Sequence, residues 1–195
     1  MRPLDHYEAL IVKYHKTLDL MSAQAVADLP TKLLEAQVFP TLIAPSLSPA
    51  ERILDIGSGV GLPGIPLALA FPDHRITLVE LRQRRASFLK LVVGQLGLQN
   101  VTVVAADVRT LQAAPYAWIS AQAVGSFSLL YCLTRHLHDE TVKLVTRRGE
   151  LSPTEFGKLA AITGPILETL TAPLPTHGKL VAMRLQGGKP CPSSG

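Results

Sequence analysis

Ile53-Leu54-Asp55-Ile56-Gly57-Ser58-Gly59-Val60-Gly61-Leu62-Pro63-Gly64 is a short apolar run that ends in an acid and breaks into a glycine-rich turn. A segment with helical character follows. Four glycines within eight residues serve two purposes. They reach backbone angles closed to residues with a Cβ, and they let a ligand come against the main chain. An α/β sheet builds a nucleotide-type pocket in this way, at the carboxyl end of its first strand. The next apolar run, Arg75-Ile76-Thr77-Leu78-Val79, ends in a second acid, Glu80, which stands 19 residues after Gly61. The second strand of such a unit delivers a carboxylate to a ribose at this place. A tight turn without a ligand accounts for neither the density of glycine nor the two strand-end acids.

The details of the turn select a ligand class. A dinucleotide fingerprint wants glycine at its first, third and sixth positions. Gly57 and Gly59 fill the first two, but Leu62 stands at the sixth, so a nicotinamide-dependent oxidoreductase is the weakest option. A pyrophosphate also favours a helix N-terminus free of nearby negative charge, whereas Asp55 stands just before the turn. An acid there suits a ligand that is cationic at that end. S-adenosylmethionine carries an ammonium and a sulfonium, and Asp-x-Gly-x-Gly-x-Gly is the usual first motif of enzymes that bind it. A P-loop is excluded, because no Gly-Lys-Ser/Thr follows the turn.

Outward from this stretch the text alternates strand and helix. Strands are expected over 52–56, 75–80, 101–105, 117–120 and 143–146, and helices over 63–70, 84–96, 127–137 and 154–162. Gly97 stops the second of these helices, and Ser152 caps the last. Residues 167–174 and 179–185 would close the sheet as an antiparallel pair. Strands separated by helices of this length imply an α/β fold, a doubly wound and mostly parallel Rossmann-like sheet. Before it, residues 4–21 and 31–44 show helical periods, with a Pro-Ser linker at 45–49. Residues 1–48 are therefore a helical N-terminal extension, packed on the main fold or serving recognition. Residues 49–187 form the ligand-binding domain, and 188–195 a flexible polar tail.

With 195 residues, 47% of them hydrophobic, the chain has enough apolar material for a real core. No apolar stretch reaches the roughly 20 residues of a membrane span, and the first residues lack the apolar centre of a secretion signal. Cys132 and Cys191 make neither a disulfide framework nor a metal-ligand spacing. A cytoplasmic, metal-free, monomeric protein with no membrane partner is expected. The net charge of +4 permits a nucleic-acid partner. Three basic clusters, Arg82/Arg84/Arg85/Lys90, Arg147/Arg148 and Arg135/His136/His138, fall just beyond expected element ends. Each taken singly reads as a solvated helix end; together they outline an RNA-facing rim, with Arg84, Arg85, Arg147 and Arg148 as phosphate contacts.

Methyl transfer from a sulfonium is an in-line displacement in which positioning does much of the work. Exocyclic amines of adenine are usually handled by an Asn/Asp-Pro-Pro-aromatic run after the fourth strand, where this chain has Ile119-Ser120-Ala121-Gln122-Ala123-Val124-Gly125. A pyrimidine carbon needs a cysteine nucleophile, but Cys132 reads as core and Cys191 lies in the tail. Metal-assisted methylation would need carboxylates clustered near the fourth and fifth strands, and such a cluster is missing. An acceptor that already carries a lone pair, such as purine N7, remains. It needs no catalytic base, and no catalytic residue is assigned.

Leu54-Asp55-Ile56-Gly57-Ser58-Gly59-Val60-Gly61-Leu62-Pro63-Gly64-Ile65-Pro66-Leu67-Ala68 closely resembles the first motif of the bacterial small-subunit ribosomal RNA methyltransferase G family, also called glucose-inhibited division protein B. The similarity continues through Leu78-Val79-Glu80 and Arg84-Arg85-Ala86-Ser87-Phe88-Leu89, then more loosely to about residue 186. The resemblance implies a doubly wound methyltransferase fold behind a helical extension, and methylation of guanine N7 in 16S ribosomal RNA, free or within the small ribosomal subunit. It also implies that Gly57, Gly59 and Leu62 line S-adenosylmethionine, that Glu80 takes the ribose hydroxyls, and that Asp107 and Val108 lie against the adenine. Gln122 stands where the family has an arginine, and keeps hydrogen bonding without the charge or the fork. Arg148-Gly149 replaces a Lys-Gly. The family's Asn-Leu-Thr appears as Asp19-Leu20-Met21, and its Asp-Ser pair is not evident in Glu35-Ala36-Gln37. These departures fall on the substrate side, so another RNA or a small molecule as acceptor, or a non-catalytic assembly role, stay open.

Overall fold

The computed structural model describes residues 2–113, 115–122, 125–149 and 152–187. Seven strands, β1 (Ile53–Ile56), β2 (Ile76–Val79), β3 (Val101–Val104), β4 (Tyr116–Ala121), β5 (His138–Arg148), β6 (Glu168–Pro173) and β7 (Lys179–Gln186), form one sheet in the order β3-β2-β1-β4-β5-β7-β6. The first five strands run parallel. β7 is antiparallel to both β5 and β6. The chain steps outward from β1 to β3 and then returns to lay β4 on the other side of β1. Loops leaving β1 and β4 therefore diverge, and a crevice opens at the carboxyl ends of the strands.

Helices cover both faces. On one lie α1 (Pro3–Tyr14), α3 (Leu29–Ala36), α4 (Val38–Ile43), α5 (Gly64–Ala70) and α6 (Gln83–Leu96), where Tyr7, Ile11, Leu29, Phe39, Leu67 and Phe88 share a core with Ile53, Ile76 and Trp118. On the other lie α7 (Phe127–Thr134) and α8 (Pro153–Thr163), where Phe127, Leu130 and Leu159 pack on Leu54, Ile119 and Leu144. Covered twice, β1 and β2 bury every residue, as central parallel strands do. The first helices thus share one continuous core with the sheet. Among the described residues no helix is long and apolar enough to cross a membrane.

Most boundaries agree with the sequence reading to within a residue or two. α6 ends at Gly97 (φ 65), where Leu98 N–H bonds the Val93 carbonyl at 3.0 Å in a left-handed cap. The N-terminal segment differs more. The helix expected to reach residue 21 ends its regular part at Tyr14 and winds on to Asp19, whose φ of 52 closes it. Leu20 N–H bonds the His15 carbonyl at 3.0 Å and Asp19 N–H the Lys16 carbonyl at 3.4 Å, the paired bonds of a Schellman cap. A short helix, α2 (Ala23–Ala27), follows with Ser22 as its cap. The helix expected over 31–44 is two helices, because Pro40 has no N–H to offer the Ala36 carbonyl. A 3-10 turn, Ala44–Ser46, occupies the start of the expected linker. β5 is much longer than 143–146. Its first half, His138-Asp139-Glu140-Thr141, is polar, and β7 pairs with it from Thr141 onward. The tail at 188–195 lies outside the described residues.

Candidate active site

β1 runs directly into the glycine turn, and α5 leaves it at Gly64. Gly57 has φ 62 and open space where a Cβ would stand, so its main chain is bare toward the crevice. Gly61 has φ 108, and a Cβ there would meet Ile65 Cγ1 at 2.6 Å, Leu89 Cδ2 at 3.0 Å and Tyr7 Oη at 3.1 Å. The turn is fixed from several sides. Ser58 N–H bonds the Val79 carbonyl at 3.1 Å and Ser58 Oγ donates to the Asp55 carbonyl at 2.9 Å. Glu80, buried at the end of β2, accepts from Gly59 N–H at 2.9 Å through Oε2 and from Arg82 N–H at 2.8 Å through Oε1. Tyr7 Oη donates to the Val60 carbonyl at 2.9 Å.

A cleft of about 180 Å³ opens beside the turn, between the carboxyl ends of β1, β2 and β3, and gathers Gly57, Glu80, Leu81, Asp107 and Val108. Four residues picked from sequence, Gly57, Glu80, Asp107 and Val108, therefore meet in one place. A larger cavity of about 650 Å³ lies between the start of α1 and α3, lined by Pro3, Pro30, Leu33 and Leu34. It is remote from the strand ends, so size does not identify the chemistry. The smaller cleft fits S-adenosylmethionine on its own features. A carboxylate has about four lone-pair directions, and Glu80 uses two on backbone, leaving two for a ribose diol. Leu81, 65% exposed beside it, presents an apolar face to a base. Asp107 is held by Arg109, whose guanidinium lowers its carboxyl to about 2 and keeps it charged.

The remaining picks stand elsewhere. Asp55, expected at the ammonium end of the ligand, is 1% exposed and lies beneath the turn. Its Oδ1 accepts from Ser120 Oγ at 2.6 Å, and burial raises its carboxyl to about 6. It faces the protein because β1 is covered on both sides. The Leu62 side chain belongs to the core rather than to the cleft. Gly59 gives its N–H to Glu80. Gln122 is exposed one residue past Ala121, which pairs with Ile56, so it flanks Gly57 across the strand register.

The basic clusters separate by position. Arg84 is exposed and Arg85 half-buried in the first turn of α6, next to Glu80. Arg147, expected on phosphate, instead pairs with the buried Glu35 at 2.9 Å, and Thr176 also donates to that carboxylate. Arg148 pairs with Glu155, donates to the Gly125 carbonyl, and covers the Phe127 ring. Both arginines tie the end of β5 to neighbouring elements. Beside Arg148, a cleft of about 550 Å³ between the starts of α7 and α8 carries Ser126, Ser128, Thr154 and Lys158. The cluster at Arg135, His136 and His138 sits at the amino end of β5, the end of the sheet opposite the cleft at Gly57 and Glu80, and does not join the rim. His138 is packed on Tyr131 and contacts Thr134 Oγ1 at 2.7 Å, and burial lowers its pKa to about 4.

Sequence reading passed over Tyr7, Ser120 and Glu35. Ser120 left a trace, as a lone hydroxyl in an apolar strand, and it pairs in register with Asp55. Tyr7 and Glu35 act across 53 and 112 residues and left none.

Known proteins agree with this architecture. The family model of rRNA small subunit methyltransferase G (GidB) matches residues 1–163. Ribosomal RNA small subunit methyltransferase G of Methylobacillus flagellatus is 32% identical over 178 residues, 90% of this chain and 84% of that protein. Its counterpart in Chromobacterium violaceum is 32% identical over 94% of this chain and 88% of its own length. Among solved structures, magnesium protoporphyrin IX methyltransferase (ChlM) from Synechocystis PCC 6803 with bound SAM superposes with a TM-score of 0.65 at 14% identity, covering 93% of this chain and 97% of that one. M. jannaschii TYW2 in complex with AdoMet gives 0.64 at 15% identity over 80% and 76%. These two share the fold. With the family pattern running from α1 through α8 and the glycine turn at its centre, the chain belongs to the rRNA small subunit methyltransferase G family.

Proposed function

We propose that this chain transfers a methyl group from S-adenosylmethionine to N7 of a guanine in 16S ribosomal RNA, free or within the small ribosomal subunit, as a cytoplasmic monomer. The observation that carries the reading is the meeting of Gly57, Glu80, Asp107 and Val108 in one cleft at the carboxyl ends of β1, β2 and β3, next to the switch point between β1 and β4, in a chain of this family. When bound, S-adenosylmethionine supplies an electrophilic methyl on sulfur. Glu80 holds the ribose through its two remaining lone-pair directions, and Leu81 and Val108 flank the adenine. Gly57 lets the ligand lie on the main chain, while Asp55, through Ser120 and Ser58, stiffens the turn from below. N7 already carries a lone pair, so the protein's task is to orient the guanine and no side chain has to remove a proton.

Arg84 and Arg85 at the start of α6 stand beside the cleft and serve as phosphate contacts. Lys158 and the hydroxyls around it offer a second basic, donor-rich patch at the same end of the sheet. Arg147 and Arg148 act through the fold instead.

The test is labelled-methyl transfer to small subunits that lack the modification, followed by mass mapping of the 16S RNA. One new methyl on a guanine, with the chain scission by aniline after borohydride reduction that marks N7-methylguanine, supports the reading. Transfer to another RNA or to small acceptors, with none to 16S RNA, overturns it.

A further inference from the structure

We infer that Tyr7 is a positioning residue for the cofactor turn, so that the N-terminal helix, and not the sheet alone, fixes the backbone on which the methyl donor rests. The inference builds on the S-adenosylmethionine reading above. Sheet and α5 hold most of the turn: Ser58 bonds Val79, Gly59 bonds Glu80, and the Gly61 carbonyl accepts from Ile65 N–H at 2.7 Å. The Val60 carbonyl between them is met by Tyr7 Oη at 2.9 Å. The peptide that follows belongs to Gly61, the residue type with the least resistance to rotation. Its N–H donates to the Ser58 carbonyl at 2.7 Å, so removing the phenol would leave a buried carbonyl unpaired in a peptide held from one side only.

Tyr7 is placed to act as a fixed strut. It is fully buried, and its helix is seated by Leu10 and Ile11 in the core and by Tyr14 against Phe88, with ring centroids 6.4 Å apart. The phenol touches the side of the turn away from the cleft, so it orders the cradle without meeting the ligand. An unpaired Val60 carbonyl would let the turn populate other shapes, and the apparent affinity would fall with the fraction that stays competent.

Calorimetry with S-adenosylmethionine and S-adenosylhomocysteine on the full chain tests this, comparing wild type, Tyr7→Phe and Tyr14→Phe. Tyr7→Phe should weaken both ligands about five- to tenfold, as loss of one buried hydrogen bond implies. It should raise KM for the donor with kcat within twofold, and speed amide exchange over residues 57–62. Tyr14→Phe should bind within twofold of wild type. Unchanged affinity and exchange in Tyr7→Phe, even with a lower melting temperature, would overturn the inference alone. No binding by wild type would overturn the donor reading and this inference with it. A measurement on wild type guards against a variant that fails to fold. By reciprocity of coupling, the donor should slow exchange in α1 as well as in the turn, and protection confined to the turn overturns the proposal.

Discussion

Replacing Glu80 by glutamine separates the two tasks assigned to this carboxylate. In the native chain its oxygens accept from two backbone amides, Gly59 at 2.9 Å and Arg82 at 2.8 Å, and the group is 5% exposed. Glutamine has the same shape but only one acceptor atom, so one of the two N–H groups would face an NH2. A buried donor left unpaired costs about 1–3 kcal/mol. For a domain of this length that corresponds to a fall in melting temperature of about 4–8 °C at the middle of the range. The ribose would also lose its anionic acceptor. Hydrogen bonds to charged groups contribute about 1.5–3 kcal/mol, so the Kd for S-adenosylmethionine should rise about 10- to 150-fold. Scanning calorimetry reads the first effect and titration calorimetry the second. A Kd within twofold of wild type refutes the ribose assignment, and an unchanged melting temperature refutes the role of Glu80 in bracing the turn.

Gly61→Ala should destabilise the fold by about 2–4 kcal/mol, since the new methyl meets Ile65, Leu89 and Tyr7 at a positive φ; a loss under about 1 kcal/mol in urea unfolding would contradict the packing described. Burial raises the Asp55 carboxyl from 3.8 to about 6, so the folded chain binds this proton more tightly than the unfolded one. Stability therefore falls as pH rises from about 4 to about 6, by at most about 3 kcal/mol from this group. Asp55→Asn should remove that part of the slope, and parallel stability curves for the two proteins would refute it. Arg147→Ala leaves Glu35, 9% exposed at its side chain, without its cation, and should cost about 2–4 kcal/mol. Arg84→Ala should leave stability unchanged but weaken RNA binding and reduce its salt slope by about one. The reverse pattern for the two arginines would undo their assignment.

Strand and helix order around the glycine turn was legible because each element carries its own period and its own stop, as Gly97 shows for α6. The antiparallel closing pair was legible from Pro175-Thr176-His177-Gly178 between two apolar runs. The start of β5 was not, since Asp139, Glu140 and Thr141 are exposed; His138 pairs with Tyr116 of β4, Glu140 accepts from Gly187 N–H and Thr141 pairs with Gln186, all partners far along the chain. The break between α3 and α4 needed attention to the missing N–H of Pro40 rather than to apolar period. In the cleft, glycines and strand-end acids announced themselves by position. The direction of the Asp55 side chain did not, because alternation says nothing when both faces of a strand are covered. Arginine clusters misled in turn: Arg147 and Arg148 look like a basic patch until Glu35 arrives from a remote segment and Glu155 from the nearby first turn of α8.

The place of β7 has a bearing on how the protein is made. This strand is the last to be synthesised of the seven, yet it lies inside the sheet, antiparallel between β5 and β6, with Leu180, Val181, Ala182 and Met183 buried. During translation, β5 must wait with a bare edge until residues 179–186 have left the exit tunnel. A nascent chain stalled before that point carries an open hydrogen-bonding ladder, the kind of edge that invites pairing with other chains. Chaperone demand and aggregation should therefore concentrate in the interval before β7 emerges, and premature stops just short of residue 179 should yield insoluble product instead of a smaller working enzyme.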